Sequence, residues 1–245
     1  MQFSSHNTVL VAVIAHNEEE SIGSVLDELQ FTLISDETLN FSLVVFDDCS
    51  SDHTRELSLM RGIRVISNVI TTGNGMYMIP IYLKYALIHK FDFVVQIDAD
   101  GQHPIDGLTA LINHAISSNA DISIGSRYCN SPILYLGNNS SFFDRILGTQ
   151  LICLLLYIST SVSIRDPTSG FRVYNQKVIN FFASSQDWPL DSFSFLRVCL
   201  KLGFSICEFP VTMKPRTSGR SEFSFFRKLG YVFTLIYSFI YSFFL

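Results

Sequence analysis

The sequence predicts an α/β fold in which a mostly parallel central sheet carries helices on both faces. Short apolar runs alternate along the chain with stretches that repeat apolar residues at helical spacing. The runs are apolar throughout rather than at every second position, which is typical of strands that helices cover on both sides. Strands that alternate with helices usually form parallel sheets, because each helix returns the chain to the edge where the next strand begins.

The predicted elements follow one another from the start of the chain. Strands are expected at residues 8–15, 41–46, 63–67, 91–97 and 121–125. A first helix is indicated by apolar residues at helical spacing, namely Ile22, Val25, Leu26, Leu29 and Leu33. A second helix is expected at roughly residues 76–89, and another precedes the fifth strand. Because neither a repeat nor a low-complexity linker interrupts this pattern, residues 1–222 are predicted to form one domain.

Composition excludes several classes of protein. The chain has 245 residues, of which 48% are hydrophobic, and a net charge of −5. Nucleic-acid-binding proteins are usually basic, and disordered chains are poor in aromatic residues, so neither class fits. The five cysteines include no Cys-x-x-Cys pair, which argues against a zinc site and indicates free thiols in a reducing compartment. The first seven residues do not resemble a secretory signal, so we expect the folded part in the cytoplasm.

The C-terminal residues differ in character from the rest of the chain. Residues 229–245 contain seventeen residues without a charge, which is the lower limit for spanning a bilayer. Basic residues precede this stretch, and they are typical of the cytoplasmic side of a membrane segment. Residues 223–245 are therefore predicted to form a membrane-associated apolar helix. The alternatives are a buried terminal helix and a contact between copies in a homo-oligomer.

Charged side chains follow four of the five predicted strands. These residues are Glu18, Asp47, Asp48, Asp98, Asp100 and Arg127. In open parallel sheets, ligands bind in the crevice beyond the carboxyl ends of the strands. We therefore expect these side chains to meet at one edge of the sheet and to form a binding site there.

The turn after the fourth strand, with the sequence DADGQHP, has the composition of a metal site. Asp98 and Asp100 can both turn toward one hard cation, and the side-chain carbonyl of Gln102 is a further candidate ligand. Mg²⁺ and Mn²⁺ prefer such oxygen ligands and complete their shell with phosphate oxygens and water. The turn therefore predicts a divalent cation that stabilises a leaving diphosphate. The alternative is a polar turn that caps the next helix, and His103 is expected to be a turn residue beside the metal rather than a ligand.

A second acidic cluster, with the sequence DDCSSD, follows the second strand. Adjacent carboxylates repel each other unless hydrogen-bond donors or a cation lie near them. The base and ribose of a nucleotide would supply such donors, so Asp47 and Asp48 are predicted to bind nucleotide. The alternative is a helix cap, because Ser50, Ser51 and Asp52 suit the start of a helix. Both roles are compatible if Ser51 or Asp52 caps the helix.

Several motifs together resemble one enzyme family. The segments IAHNEE (residues 14–19), VFDDCSSD (residues 45–52) and DADGQHP (residues 98–104) are similar to those of the inverting family-two glycosyltransferases, which have the GT-A fold. The segments RDPTSGFR (residues 165–172) and EFPV (residues 208–211) look like those of the dolichyl-phosphate and polyprenyl-phosphate mannose or glucose synthases. The resemblance runs from residue 9 to about residue 224, with the motifs in the order of the family.

The resemblance implies roles for individual residues. Nucleotide binding is implied for Ala15, Glu18 and Asp47. Metal binding is implied for Asp98, Asp100 and Gln102. Contact with the phosphate of a lipid acceptor is implied for Arg127 and Arg145. Closure of a mobile loop on the donor diphosphate is implied for Arg216. Guanidinium groups suit these last roles, because they bind phosphate through two hydrogen bonds.

The predicted reaction is an inverting transfer of a hexose from a UDP- or GDP-sugar to a polyprenyl phosphate at the cytoplasmic face of a membrane. A phosphate acceptor is already a good nucleophile, whereas a hydroxyl acceptor needs a general base. Asp166 is the best candidate for such a base, and its alternative role is that of a structural turn residue before Pro167. Arg172 is expected either to bind the acceptor or to pair with a core carboxylate.

Three other functions are alternatives to this prediction. The acceptor could be a sugar hydroxyl on a lipid-linked glycan, as in polysaccharide synthesis. The chain could also be a nucleotide-sugar-binding protein that has lost catalysis, against which the intact Asp98 and Asp100 argue. A sugar-phosphate nucleotidyltransferase would need a basic glycine-rich loop after the first strand, where residues 16–20 (HNEEE) are acidic instead.

Overall fold

A computed structural model describes residues 7–73, 75–129, 140–185 and 191–215, together with Phe239; for residues 140–147 it describes the backbone. The strands are β1 (Thr8–Ala15), β2 (Asn40–Asp47), β3 (Arg64–Ser67), β4 (Phe93–Asp98), β5 (Ile122–Ser126), β6 (Arg172–Asn175) and β7 (Ile206–Pro210). The helices are α1 (Ile22–Ile34), α2 (Thr54–Met60), α3 (Ile79–Ile88), α4 (Leu108–Ser118), α5 (Ser140–Thr160), α6 (Gln176–Phe182) and α7 (Ser192–Lys201).

The described strands form one sheet of seven strands in the order β3-β2-β1-β4-β6-β5-β7. β6 runs antiparallel to both of its neighbours, β4 and β5, and the other pairs are parallel. The prediction of a mostly parallel sheet is therefore confirmed. The second predicted helix begins with a 3₁₀ turn, Gly75–Met78, before α3, because Pro80 in the first turn of α3 fits only near a helix start.

Helices pack on both faces of the sheet, as predicted. One core contains residues of α3, α5, α6 and α7, and the other contains residues of α1 and α4. β1 supplies both cores, because Leu10 and Ala12 face the first while Val9, Val11 and Val13 face the second. This double burial explains why β1 is apolar throughout. Each fully buried valine or leucine stabilises the fold by about 1.5–3 kcal/mol relative to an exposed one.

The strand register brings the carboxyl ends of β1, β2 and β4 together. Ala15 lies opposite Asp47 on β2, and Ile14 lies opposite Asp98 on β4. The chain turns sharply after each of these strands, with positive φ angles at Asn17, Cys49 and Gly101. The residues predicted to bind nucleotide and metal are thus displayed along one edge of the sheet.

Within the described residues, none of the helices combines the length and apolar character that crossing a membrane requires. The predicted C-terminal helix, residues 223–245, lies outside the described residues except for Phe239. The ring of Phe239 lies 6.1 Å, centroid to centroid, from that of Phe193 on α7.

Candidate active site

The turns after β1 and β2 brace each other. The backbone N–H of Asn17 donates to Ser50 Oγ at 2.9 Å, and the Asn17 side-chain oxygen accepts from the backbone N–H of Ser51 at 2.8 Å. The backbone N–H of Glu18 donates to Thr54 Oγ1 at 2.8 Å. These bonds join residues distant in sequence, so the two turns predicted to bind nucleotide behave as one unit.

Asp47 lies at the centre of this unit. Its carboxylate is buried and accepts a hydrogen bond from the backbone N–H of Ser50 at 3.2 Å. The carbonyl of Ala15, its neighbour across the sheet, accepts from the backbone N–H of Asp48 at 2.8 Å. The Glu18 carboxylate accepts from Ser21 Oγ at 2.9 Å. Ala15 and Asp47 thus lie side by side, with Glu18 on the adjoining turn.

Asp48 binds the loop that follows β3. Its carboxylate accepts hydrogen bonds from Asn68 Nδ2 at 3.0 Å, Thr72 Oγ1 at 2.8 Å and the backbone N–H of Thr72 at 2.9 Å. Thr71 Oγ1 and the backbone N–H of Gly73 donate at 3.3 Å. Burial works to raise the pKa of Asp48, but the hydrogen bonds from Thr72, Asn68 and Thr71 together lower it below the ordinary value. Asp48 therefore holds residues 68–73 in place.

Asp48→Asn is expected to lower the free energy of unfolding at pH 7 by about 1.5–3 kcal/mol, the contribution of hydrogen bonds to a charged group. A carboxylate with a lowered pKa in the folded state stabilises the protein above its ordinary pKa of 3.8 and loses that effect as the pH falls through the lower folded value. The difference between wild type and variant should therefore narrow below about pH 4. Urea titrations at pH 7 and pH 3, with the exposed Glu56→Gln as control, measure it. An equal difference at both pH values would contradict the assignment.

Asp98 is the last residue of β4, at the edge of the sheet where the site residues converge. Its side chain is 42% exposed. The burial of the remaining part raises the pKa of the carboxyl group; the His103 ring opposes this shift, and the neighbouring Asp100 carboxylate adds to it. The backbone N–H of Asp98 donates to His103 Nδ1 at 3.1 Å. A Cβ atom added to Gly170 would lie 2.6 Å from Asp98 Oδ2, so the chain at Gly170 packs directly on this carboxylate.

Asp100 and Gln102 share the turn with Asp98. Asp100 Oδ1 accepts from the backbone N–H of Gln102 at 3.0 Å, and the positive φ of Gly101 allows the tight turn. Among the described residues, no three His, Cys, Asp or Glu side chains are grouped so as to hold a metal ion. The turn itself offers two carboxylates and an amide oxygen, and the raised pKa of Asp98 is what a nearby cation would reverse. This donor set fits a hard divalent cation.

Arg127 and Asp166 bind each other. Arg127 Nε and Nη2 donate to the two carboxylate oxygens of Asp166 at 2.7 and 2.6 Å, and the backbone N–H of Arg127 adds a third bond at 2.9 Å. Arg127 also donates to Thr168 Oγ1 at 3.0 Å. The Asp166 side chain is fully buried, whereas that of Arg127 is 30% exposed. The residue predicted as a general base is thus the ion-pair partner of the arginine predicted to bind the acceptor.

Glu208, which the sequence did not assign to the site, and Arg172, which it did, hold the loop from Arg165 to Gly170. Glu208 accepts from the backbone N–H groups of Arg165 and Asp166 at 2.9 and 2.8 Å. Arg172 is buried and donates to the carbonyl oxygens of Ser169 and Pro167, both at 2.7 Å. Both lie in motifs on which the family resemblance rests, and these motifs were the only signal in the sequence for their importance.

Two predicted arginines cannot be placed by their side chains. Arg145 lies in the second turn of α5, and its side chain is outside the described residues. Arg216 directly follows the described range 191–215 and is also outside the described residues. The preceding segment is anchored beside the turn of residues 98–104, since the backbone N–H of Lys214 donates to the Gln102 carbonyl at 2.8 Å.

A family model and several known proteins match this chain over most of its length. Residues 10–182 match the family model described as glycosyl transferase family 2. The dolichol-phosphate mannosyltransferase of Pyrococcus furiosus is 27% identical over 242 residues, 93% of this chain and 63% of that protein, so the chain spans less than two thirds of its length. The polyprenol monophosphomannose synthase of Mycolicibacterium smegmatis is 26% identical over 88% of this chain and 80% of that protein.

A solved structure has the same fold. Glucosyl-3-phosphoglycerate synthase from Mycobacterium tuberculosis, in complex with Mn²⁺, UDP and phosphoglyceric acid, superposes with a TM-score of 0.65. The superposition covers 95% of this chain and 78% of that one, with 18% identity. At this identity the likeness establishes the α/β fold.

Proposed function

The chain belongs to glycosyl transferase family 2 and is a glycosyltransferase, and from this premise we propose that it transfers a hexose from a nucleoside-diphosphate sugar to a polyprenyl phosphate, with inversion at the anomeric carbon. The names of the relatives support this acceptor, because they specify dolichol phosphate and polyprenol monophosphate products or substrates. The undecaprenyl-phosphate mannosyltransferase of Micrococcus luteus, 25% identical over 88% of this chain, adds a third such name.

The ion pair between Arg127 and Asp166 is the observation that favours a phosphate acceptor over a sugar hydroxyl. A general base must reach the proton it removes and must be able to hold it. Asp166 is fully buried, and both of its oxygens accept hydrogen bonds from Arg127. Both oxygens of this buried carboxylate are thus occupied by Arg127, and neither is placed to reach the proton of an acceptor hydroxyl. An acceptor that is already ionised, such as a phosphate monoester, needs no base and therefore suits this site better than a sugar hydroxyl.

The donor fits the opposite side of the cleft. Asp47 and Glu18 offer carboxylates to the N–H and O–H groups of the base and ribose, beside the backbone of Ala15. Asp98, Asp100 and Gln102 would hold Mg²⁺ or Mn²⁺, which when bound would stabilise the negative charge on the leaving diphosphate. By the family resemblance, Arg216 contacts that diphosphate while Arg127 and Arg145 contact the acceptor phosphate.

A lipid acceptor places the reaction at a membrane, and we propose its cytoplasmic face. The outward side of α5 supports contact with a membrane, because Leu154, Tyr157 and Ile158 are all more than half exposed. A helix that is apolar both toward the core and toward the outside is unusual on a surface that meets only water.

Removal of residues 229–245 is expected to move the protein from the membrane fraction to the soluble fraction, because this stretch is rich in apolar and aromatic residues and has no charge. Ultracentrifugation of lysates measures the distribution, and donor hydrolysis by the truncated protein serves as the control for an intact fold. Full-length protein that is soluble and monomeric without detergent would contradict the membrane role.

The acceptor is tested by supplying a radiolabelled UDP- or GDP-hexose with Mn²⁺ and a polyprenyl phosphate. The expected product is a polyprenyl-phosphate hexose, extracted into organic solvent. The matched control is the polyprenol of the same length without its phosphate, which should not be glycosylated. Transfer to a sugar hydroxyl with no use of polyprenyl phosphate would overturn the proposal and favour a lipid-linked glycan as acceptor.

A further inference from the structure

His103 belongs to the turn of residues 98–104, and its ring is buried next to Asp98. Its side chain is 6% exposed, and it stacks on Phe171 with the ring centroids 5.1 Å apart and an interplanar angle of 26°. Its Nδ1 accepts the backbone N–H of Asp98 at 3.1 Å. A nitrogen that accepts a hydrogen bond carries no proton, so the neutral ring must carry its proton on Nε2.

The protonated side of the ring lies beside the Asp98 carboxylate. Nε2 is 3.5 Å from Asp98 Oδ2. Asp98 therefore fixes the tautomer of the ring through its backbone N–H, and its carboxylate lies within electrostatic contact of the protonated nitrogen. Because the ring is buried and stacked, it has little freedom to turn away from this position.

Two further contacts confine the same carboxylate. Gly170 leaves no room on its side, because an added Cβ atom would lie 2.6 Å from Oδ2. Gln96 lies two residues earlier on β4, and its Oε1 accepts from the hydroxyls of Tyr82 and Tyr174 at 2.8 and 3.1 Å. The amide N–H groups of Gln96 are thereby left to donate, and Asp98 follows on the same face of β4, two residues later.

We propose that His103 is a positioning residue for the transfer reaction: through Nε2 it holds the Asp98 carboxylate in the orientation that meets the divalent cation. This role rests on the proposed metal-dependent transfer, and it goes beyond it by assigning a function to a residue that is not itself a ligand. Groups that hydrogen-bond to metal ligands typically change metal affinity by about 10–100-fold when removed.

Two substitutions separate positioning from support of the turn. In His103→Asn the side-chain oxygen replaces Nδ1 and still accepts from Asp98, but no donor reaches the carboxylate. In His103→Gln the side-chain nitrogen replaces Nε2 and the donor is kept. A purely structural role predicts that Asn is the better substitute, whereas positioning of Asp98 predicts that Gln is.

The readout is the Mn²⁺ affinity of the full-length protein with UDP or GDP, measured by electron paramagnetic resonance, alongside the melting temperature. His103→Asn should weaken Mn²⁺ binding by about 10–100-fold, and His103→Gln should recover most of the loss. His114 on α4 is partly buried, and its ring contacts Ser123, Cys207 and Phe209. His114→Asn is therefore the control and should bind Mn²⁺ as wild type does. Equal affinity of wild type and His103→Asn, or weaker binding by Gln than by Asn, would overturn the assignment.

A substitution at another position, Gly170, keeps the test decisive if both His103 variants unfold. Gly170→Ala pushes the Asp98 carboxylate out of its position while leaving His103 intact, and it should weaken Mn²⁺ binding to a similar degree. Wild-type affinity in Gly170→Ala would overturn the idea that this orientation matters. Wild-type protein that fails to bind Mn²⁺ with nucleotide would instead overturn the metal-dependent reaction itself, and the role of His103 with it.

Discussion

Asp98→Asn and Asp100→Asn are expected to lower the rate of transfer by about a hundredfold or more without lowering the melting temperature. Metal stabilisation of a leaving diphosphate is worth several kcal/mol, and each ~1.4 kcal/mol corresponds to a tenfold change in rate. Asparagine keeps the shape of the side chain and removes the charge that attracts the cation. A loss of activity with an intact fold would therefore report on the metal site alone.

Asp98→Asn is expected to lower activity without lowering stability. Burial raises the pKa of Asp98 in the folded protein, so its ionised form costs stability once the pH exceeds the ordinary carboxyl value of 3.8. This cost is fully present above the raised folded pKa. Removing the charge should therefore leave the melting temperature at pH 7 equal to or above that of wild type, as is common where a site is arranged for function rather than stability.

Steady-state assays measure the transfer rate of wild type and the two variants, with the exposed Asp106→Asn as a control. Thermal melts of the same proteins measure the melting temperature. Asp106 lies in the next turn of the chain and should behave as wild type does. Full activity after treatment with EDTA, or in either of the two variants, would contradict a metal held by this turn.

The fold was predictable where burial alone determines the structure. All five predicted strands occur with their bounds shifted by two residues at most, because β1 and its parallel neighbours are apolar on both faces. β6 was not predicted. It has four residues, begins with the charged Arg172, and is inserted antiparallel between β4 and β5. Its place in the sheet depends on partners from two other strands, which its own residues do not reveal.

The convergence of the acidic turns at one edge of the sheet was predictable, but the partners of their residues were not. The sequence placed Asp48 at that edge and Asp166 in a turn before Pro167. It did not reveal that Asp48 binds a loop whose Thr72 is 24 residues away, or that Asp166 binds Arg127, 39 residues away. A carboxylate has the same local sequence whether it binds a ligand or another part of the protein. Only the folded distances decide between these roles.

Arg127→Ala is expected to lower the free energy of unfolding by about 3 kcal/mol, because it leaves the fully buried Asp166 without its partner. The estimate lies at the lower end of the range for buried pairs, since Arg127 is 30% exposed and water can enter in its place. Asp166→Ala should cost a similar amount, because Arg127 then loses the carboxylate that holds it. Urea denaturation of both variants measures these effects, and an unchanged midpoint in Arg127→Ala would mean that the pair contributes nothing.

The double variant Arg127→Met/Asp166→Leu separates the structural role of the pair from its chemical role. Removing both charges eliminates the unpaired buried group, so the double variant should regain most of the stability that each single variant loses. It has no guanidinium to offer an acceptor phosphate, so it should still transfer hexose to polyprenyl phosphate at a greatly reduced rate. Hydrolysis of the donor should persist, because Asp98, Asp100 and Arg216 are unchanged. Normal transfer by a stable double variant would show that Arg127 only supports the loop, and Arg145 would then be the arginine left to meet the acceptor phosphate.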